Sequence, residues 1–345
     1  MMSNINELIA KYDKANQFQV LQDSYKQVEY AWNLKIDLSS IDTSKIKNII
    51  LTGLGGSAIG GELIQNFFRT ELNYPYAVNR NYELPPYVNE ETLVIASSYS
   101  GNTEETLSAL NQAIEKKCQI VCVTTGGKME EVAAKHNIPV GKLLPGYQPR
   151  FALWINFFTV LNAFNNLKLV PDQNQNVQDT IELLKKKGAE YAQPENRALS
   201  LAESLLGYVP LIYSVSDYTS VVGTRFKGQF NENSKQHAFF AYFPELDHNE
   251  IMGWEGYNPQ EMNIKLINIW DDEYHPQVKK RLEITSEVIR KTGCEIIDLK
   301  SEEKNAKLRL VDLIFLGDWA TYYYAVIRGF DPTTIDNINY LKARL

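Results

Sequence analysis

Two short runs carry residues able to grip an anion. They are Gly53-Leu54-Gly55-Gly56-Ser57-Ala58-Ile59-Gly60-Gly61 and Ser97-Ser98-Tyr99-Ser100-Gly101-Asn102-Thr103-Glu104-Glu105-Thr106. Each follows a short apolar segment, Ile49-Ile50-Leu51 or Leu93-Val94-Ile95, and each opens a helix-like pattern. Backbone N–H groups at a helix N-terminus lack intrahelical acceptors and lie at the positive end of the helix dipole. Glycines let a ligand approach that backbone, and several hydroxyls can ring it. Gly55, Gly56, Ser57, Ser98, Ser100 and Thr103 are therefore the candidate phosphate-binding residues, a cradle with no basic side chain.

Two commoner phosphate motifs do not fit. No Gly-Lys-Ser/Thr follows the first run, so it is not a P-loop, and Gly53-Leu54-Gly55-Gly56-Ser57-Ala58 lacks the third glycine of a dinucleotide fingerprint in register. A helix N-cap needs only one Ser or Thr. Ser98, Ser100 and Thr103 around Gly101 exceed that need, which marks the second run as a ligand loop.

The stretch Ser98-Tyr99-Ser100-Gly101-Asn102-Thr103-Glu104-Glu105-Thr106 resembles the phosphosugar-binding signature of sugar isomerase (SIS) domains. With Gly55-Gly56-Ser57 upstream, the chain resembles the bifunctional phosphoglucose/phosphomannose isomerase family of archaea and some bacteria. The likeness spans the chain, because later landmarks fall in the family's order. These are Gln148-Pro149-Arg150, Phe230-Asn231-Glu232-Asn233, Asp247-His248-Asn249-Glu250-Ile251, Asp331-Pro332-Thr333 and Tyr340-Leu341-Lys342. The resemblance implies an isomerase that interconverts glucose 6-phosphate, and mannose 6-phosphate as a second aldose, with fructose 6-phosphate. It implies no metal and no cofactor, and a cytoplasmic homodimer whose active site is shared between subunits.

Such an enzyme moves a proton between adjacent carbons of an opened sugar phosphate. It needs a phosphate anchor, a carboxylate base over C1 and C2, a group that opens the ring and a cation near the enediolate oxygens. The resemblance assigns Glu232 as the base, with Asn231 and Asn233 beside it to orient it. It assigns ring opening to His248, which reaches the active site of the other subunit, since an imidazole can both give and take a proton near neutrality. Arg150 faces the enediolate, where a guanidinium offers charge without competing as a base. Lys342 matches the family's terminal active-site lysine. Taken alone, a helical Glu, a lone His, a helix-start Arg and a tail Lys are ordinarily structural or solvated. Glu245 and Glu250, the other carboxylates near His248, rank below Glu232 as structural residues. After Arg150, Phe151-Ala152-Leu153-Trp154 is bulkier than the family's small residues there, and bulk beside the site would bias the choice between C2 configurations.

Positioning these residues falls to alternating strands and helices. Strands are expected at 46–52, 92–97, 119–125 and 138–144, with helices at 57–70, 103–117 and 129–136. A helical stretch from Arg150 to about Leu206 is broken by a polar loop, 168–175. A second alternation follows: strands at 209–215, 238–243, 264–270 and 295–299, with helices at 219–235, 276–292 and 304–329 and a short one from Asn249. Strand–helix alternation predicts an α/β fold of two SIS-type doubly wound units, each a mainly parallel sheet flanked by helices. Ligands bind such sheets beyond the carboxyl ends of the strands, where both signature runs lie. The expected organisation is a helical prelude (1–45), a first phosphate-binding SIS domain (46–150), a helical crossover (151–206) and a second SIS domain with C-terminal helices (207–345).

Composition agrees with a globular enzyme. The chain has 345 residues, 44% hydrophobic and 22% charged, and a formal net charge of −7 that offers nucleic acid no basic footprint. Lys11, Asp13 and Lys14 interrupt any apolar signal-peptide core, and the apolar stretches 151–164 and 308–330 carry polar residues that suit buried helices better than a membrane span. Three cysteines without a Cys-x-x-Cys and four dispersed histidines suggest neither a disulfide framework nor a metal cluster. Two other readings use the same fold. A non-catalytic phosphosugar-sensing SIS protein would need a DNA-binding domain for which residues 1–45 are too short, and would leave Glu232 and His248 unexplained. An amino-sugar phosphate isomerase remains open.

Overall fold

The structure, a computed structural model, describes residues 5–344. Helices α1 (Ile5–Tyr12), α2 (Gln17–Gln22) and α3 (Ser24–Asn33) come first. Then follow β1 (Asn48–Thr52), α4 (Gly56–Phe67), β2 (Tyr76–Asn79), β3 (Thr92–Ser97), α5 (Glu104–Glu115), β4 (Gln119–Thr124), α6 (Gly127–His136) and β5 (Val140–Lys142). Helices α7 (Leu153–Asn166), α8 (Asn174–Tyr191) and α9 (Arg197–Ser204) lead to β6 (Val209–Val215), α10 (Ser220–Glu232) and β7 (Phe239–Phe243). The chain ends with β8 (Ile264–Trp270), α11 (Pro276–Lys291), β9 (Glu295–Lys300), α12 (Ala306–Ile327) and α13 (Asp336–Lys342).

Two compact units result, Asp23–Glu182 and Met1–Gln22 with Leu183–Leu345. Each holds a wholly parallel sheet, of order β2-β1-β3-β4-β5 in the former and β7-β6-β8-β9 in the latter. The doubly wound α/β architecture is the expected one. Runs such as Leu93-Val94-Ile95 and Ile120-Val121-Cys122-Val123 are buried along their length, as strands covered on both faces must be. Edge strand β2 is an addition. Its four residues, most of them half-buried, have too little apolar periodicity to announce a strand.

The prelude expected at 1–45 is divided between the units, because its helices pack on different cores. Phe18 of α2 meets Trp319 of α12 edge-on at 5.2 Å, and the Tyr322 hydroxyl donates to Asp13 at 2.9 Å. Helix α3 instead sends Gln27 into the other unit, where its amide donates to the Phe151 carbonyl at 2.8 Å and accepts from Ile155 N at 3.2 Å. The crossover at 151–206 divides likewise, within α8.

Helix α12 is long and apolar enough to cross a membrane, yet 94% of its most apolar window is buried inside the protein. The charged residues along its length find partners: Asp318 in Arg225, Asp312 in the Ser301 hydroxyl, and Arg309 in Asp271. It is a core helix, as expected of the 308–330 stretch.

In the sheet of β6 to β9, strand order reverses between β6 and β8, the place where doubly wound sheets open a ligand crevice. Asp271, just past β8 and 2% exposed, accepts from Arg309 Nε at 2.6 Å, Arg309 Nη2 at 3.0 Å, the Tyr218 hydroxyl at 2.8 Å and Glu273 N at 2.8 Å. Burial pushes the Tyr218 phenol up to about 12, so it stays a donor. A buried carboxylate network thus ties together the segments that follow β6 and β8. Removing one member of a buried ion pair strands the other charge. Arg309→Met is expected to lower stability by about 3–5 kcal/mol, measured as the shift of the urea unfolding midpoint at constant slope.

Candidate active site

In the Asp23–Glu182 unit the sequence-marked loops lie side by side. Strands β1 and β3 are neighbours, and strand order reverses between them, so the N-termini of α4 and α5 both open at the switch point. Ser57, 7% exposed, stands in the first turn of α4. Ser98 Oγ accepts from Gly101 N at 3.1 Å and shares a hydrogen bond of 2.9 Å with Thr103 Oγ1. Ser100 is exposed, its hydroxyl accepting from Asn102 N at 3.3 Å. Thr103 is the N-cap residue of α5, but its side chain makes no capping bond. The first-turn amides of α5 are therefore not taken by their own cap, which suits an external anion.

The loop is held against the turn after β4. Met129 N donates to Gly101 O at 3.0 Å, and Thr125 donates to Tyr99 O through N at 3.0 Å and Oγ1 at 2.7 Å. Lys128 N donates to Asn102 Oδ1 at 3.1 Å. Gly101 has φ +70°, and a methyl there would lie 1.8 Å from the Gly126 carbonyl oxygen. Only glycine serves at this position, for both conformation and space.

Arg150 belongs to the same unit, in a 3-10 turn spanning Pro149–Phe151. It is 3% exposed, with its guanidinium 5.4 Å from the Phe151 ring centre. Two contacts tie its segment to the cradle. A methyl on Gly56 would lie 2.9 Å from Pro149 O, so the first turn of α4 rests on that backbone. From the signature loop, the Tyr99 hydroxyl donates to Leu144 O at 2.8 Å and accepts from Tyr147 N at 2.9 Å. Sequence reasoning passed over Tyr99 as a site residue, although it stands inside the signature. Asn156 of α7 was also missed; its amide donates to Ser97 Oγ at 2.7 Å, at the end of β3. The bulk expected beside Arg150 goes into the interior: Phe151, Ala152, Leu153 and Trp154 are all buried, with Trp154 against Phe158.

Glu232, Lys342 and His248 belong to the other unit. Half-buried Glu232 is the last residue of α10, whose end is fastened to α12. Arg225 forks onto Asp318 at 2.9 and 3.0 Å, and Gln229 donates to the same carboxylate at 3.0 Å. Asn233 donates to Thr321 Oγ1 at 3.2 Å, and Ser234 Oγ to Thr321 O at 2.7 Å. Asn231 donates to Gln236 O at 2.8 Å. Of these amides, expected to orient the carboxylate, that of Asn231 bonds to the turn after α10 and that of Asn233 to α12.

His248 ends a 3-10 turn, Glu245–His248, and is exposed. The turn is pinned on both sides of it. Asp247 accepts from Arg281 at 3.1 Å and Thr285 at 2.9 Å on α11. Glu250 accepts from the Tyr213 hydroxyl at 2.7 Å, which accepts in turn from Trp254 Nε1 at 3.0 Å. Burial raises the Tyr213 phenol far above its usual range, keeping it a neutral donor. Glu245 accepts from Asn249 at 3.0 Å. Both rival carboxylates thus brace the histidine's turn. Lys342 sits on α13, which is exposed along its whole length.

The two units carry family signatures. Residues 43–138 match the SIS domain, and residues 194–345 match the bacterial phospho-glucose isomerase C-terminal SIS domain. A crystal structure of a hypothetical protein from Thermus thermophilus shares the fold at a TM-score of 0.74 and 16% identity, covering 99% of this chain and 92% of that one. The chain is thus a double SIS-domain protein. It is 37% identical to a bifunctional phosphoglucose/phosphomannose isomerase of Caldicellulosiruptor bescii, over 95% of this chain and 98% of that protein. Identity to the Aquifex aeolicus protein of the same name is 34%, over 94% of this chain and 99% of that one. The chain belongs to the bifunctional phosphoglucose/phosphomannose isomerase family.

Gly101→Ala tests the cradle. The added methyl forces the loop from the Gly126 turn, costing on the order of 2 kcal/mol in thermal unfolding. Calorimetric affinity for fructose 6-phosphate is expected to fall more steeply than stability does.

Proposed function

We propose that the chain interconverts glucose 6-phosphate, and mannose 6-phosphate as a second aldose, with fructose 6-phosphate by proton transfer through a cis-enediol. The observation that carries this reading is the uncharged cradle at the β1/β3 switch point, with Arg150 tied to it by Tyr99 and Gly56. In the proposal, the hydroxyls of Ser57, Ser98, Ser100 and Thr103 and the amides behind them hold the phosphate dianion. His248 protonates the ring oxygen and takes the hydroxyl proton, which opens the ring. Glu232 takes the proton from one of C1 and C2 and returns it to the other. Arg150 offsets the negative charge that develops on the enediolate oxygen, and Lys342 adds a second cation. In the same step the hydroxyl proton passes between O1 and O2 across the cis-enediol, so that the carbon-bound and oxygen-bound hydrogens both balance.

The proposal places the enzyme in the cytoplasm as a homodimer in which His248 serves the other subunit, with no nucleic acid or membrane as partner. Supporting the dimer, His248 is presented outward between two anchored neighbours. Edge strand β7 beside it exposes Phe239 at 49% and Tyr242 at 41%, apolar surface that a lone edge strand rarely leaves bare.

Glu232→Gln is expected to lower kcat by about 10²–10⁴-fold while calorimetry finds fructose 6-phosphate affinity unchanged. Hydrogen exchange at C2 with solvent deuterium should cease; exchange at the wild-type rate would assign the base elsewhere. Wild-type turnover should survive a strong chelator, and a loss that zinc reverses would contradict metal-free transfer. Sharing of the site has its own test. Glu232→Gln and His248→Ala dimers, inactive separately, should on subunit exchange recover about a quarter of wild-type activity, because half the dimers are mixed and each has one intact site. No recovery would confine each site to one subunit.

A further inference from the structure

We propose that Lys235 is a positioning residue for Glu232, holding the peptide that carries the carboxylate; the proposal rests on Glu232 being the base. The Lys235 ammonium folds back over the C-terminal end of α10. It donates to the carbonyl oxygens of Glu232 at 3.0 Å, Asn233 at 3.3 Å and Asp331 at 2.8 Å. An ammonium has three N–H donors, and three carbonyls receive them. Two of those carbonyls are at the negative C-terminal end of α10, where a cation is electrostatically favoured. The third comes from the segment after α12, so the side chain ties the Glu232 peptide to a separate element.

The backbone of Lys235 points the same way. It lies at φ +49°, the left-handed conformation that glycine ordinarily supplies where a helix stops. Placing a lysine there costs backbone strain that glycine would avoid. What the side chain adds at this position, and glycine would not, is the set of three carbonyl bonds. A second tie runs parallel to it: Arg328 Nη1, at the C-cap of α12, donates to Ser234 O at 2.9 Å. Glu232 is thus the last residue of a helix whose end is clamped by Lys235 on its own peptide and by Arg328 two residues on. A proton shuttle between adjacent carbons tolerates little displacement, and an error of about 1 Å can cost on the order of a hundredfold in rate.

The test separates aim from fold. Lys235→Gly removes the ammonium while suiting the left-handed backbone, and Lys235→Met keeps the aliphatic stem. Each is expected to lower kcat for fructose 6-phosphate isomerisation by about ten- to a hundredfold, with KM within a factor of about two. The melting temperature of Lys235→Gly should stay near the wild-type value. Added methylammonium or ethylammonium should restore part of the lost kcat of Lys235→Gly in a saturable way, which general stabilisation of the fold would not do. Wild-type kcat in both variants overturns the proposal. So does a kcat that falls only in step with melting temperature and shows no amine rescue. If wild-type protein turns over and Glu232→Gln does not, either result removes the role of Lys235 alone. If Glu232→Gln exchanges C2 hydrogen normally, the base assignment fails first.

Discussion

A dianion gripped without a formal positive charge needs many neutral donors converging on one point. Parallel sheets provide that convergence where strand order reverses, since two adjacent strands there feed helices that leave in opposite directions. In the Asp23–Glu182 unit β1 and β3 are those strands, and α4 and α5 those helices. Gly101 lets the signature loop press on the Gly126 turn, and Gly56 lets α4 press on Pro149. Thr103 turns its hydroxyl to Ser98 and leaves the amides of α5 uncapped. The segment that carries Arg150 rests on the first turn of α4, where Gly56 meets Pro149 O.

The other unit uses the same topology for a different end. Just past β8, Asp271 is bonded to Arg309 and Tyr218, and the resulting buried network braces β6 and β8 against α12. Within apolar α12, Asp312, Asp318 and Arg309 each meet a matched group. Asp318 receives Arg225 and Gln229, about two turns and one turn before Glu232, so the charge in the core helix sets the register of α10. The turn bearing His248 follows the same logic, with Asp247 and Glu250 fastened on either side of an exposed imidazole.

Much of this was legible in the chain itself, where short-range chemistry decides. Strands β3, β6 and β8 fall where apolar runs bounded by turn residues put them, and the Ser/Thr-Gly loop lies where expected, between β3 and α5. What escaped is long-range. Strand β2 is defined by its pairing with β1, not by its own four residues. The prelude divides because Phe18 and Gln27 choose different cores, a choice no local pattern encodes. The bonds from Asn231 to Gln236 and from Asn233 to Thr321 likewise form only once the helices pack. Tyr99 and Lys235 matter through residues 45 and 96 positions away, Leu144 and Asp331, so their contributions emerge only from the fold.

The most direct measurement is a crystal structure with fructose 6-phosphate bound. The account predicts phosphate oxygens within hydrogen-bond reach of the Ser57, Ser98, Ser100 and Thr103 hydroxyls and the first amides of α5, with no lysine or arginine in contact with them. A phosphate paired with a basic side chain elsewhere, or lodged at the β6/β8 end of the second sheet, would contradict it.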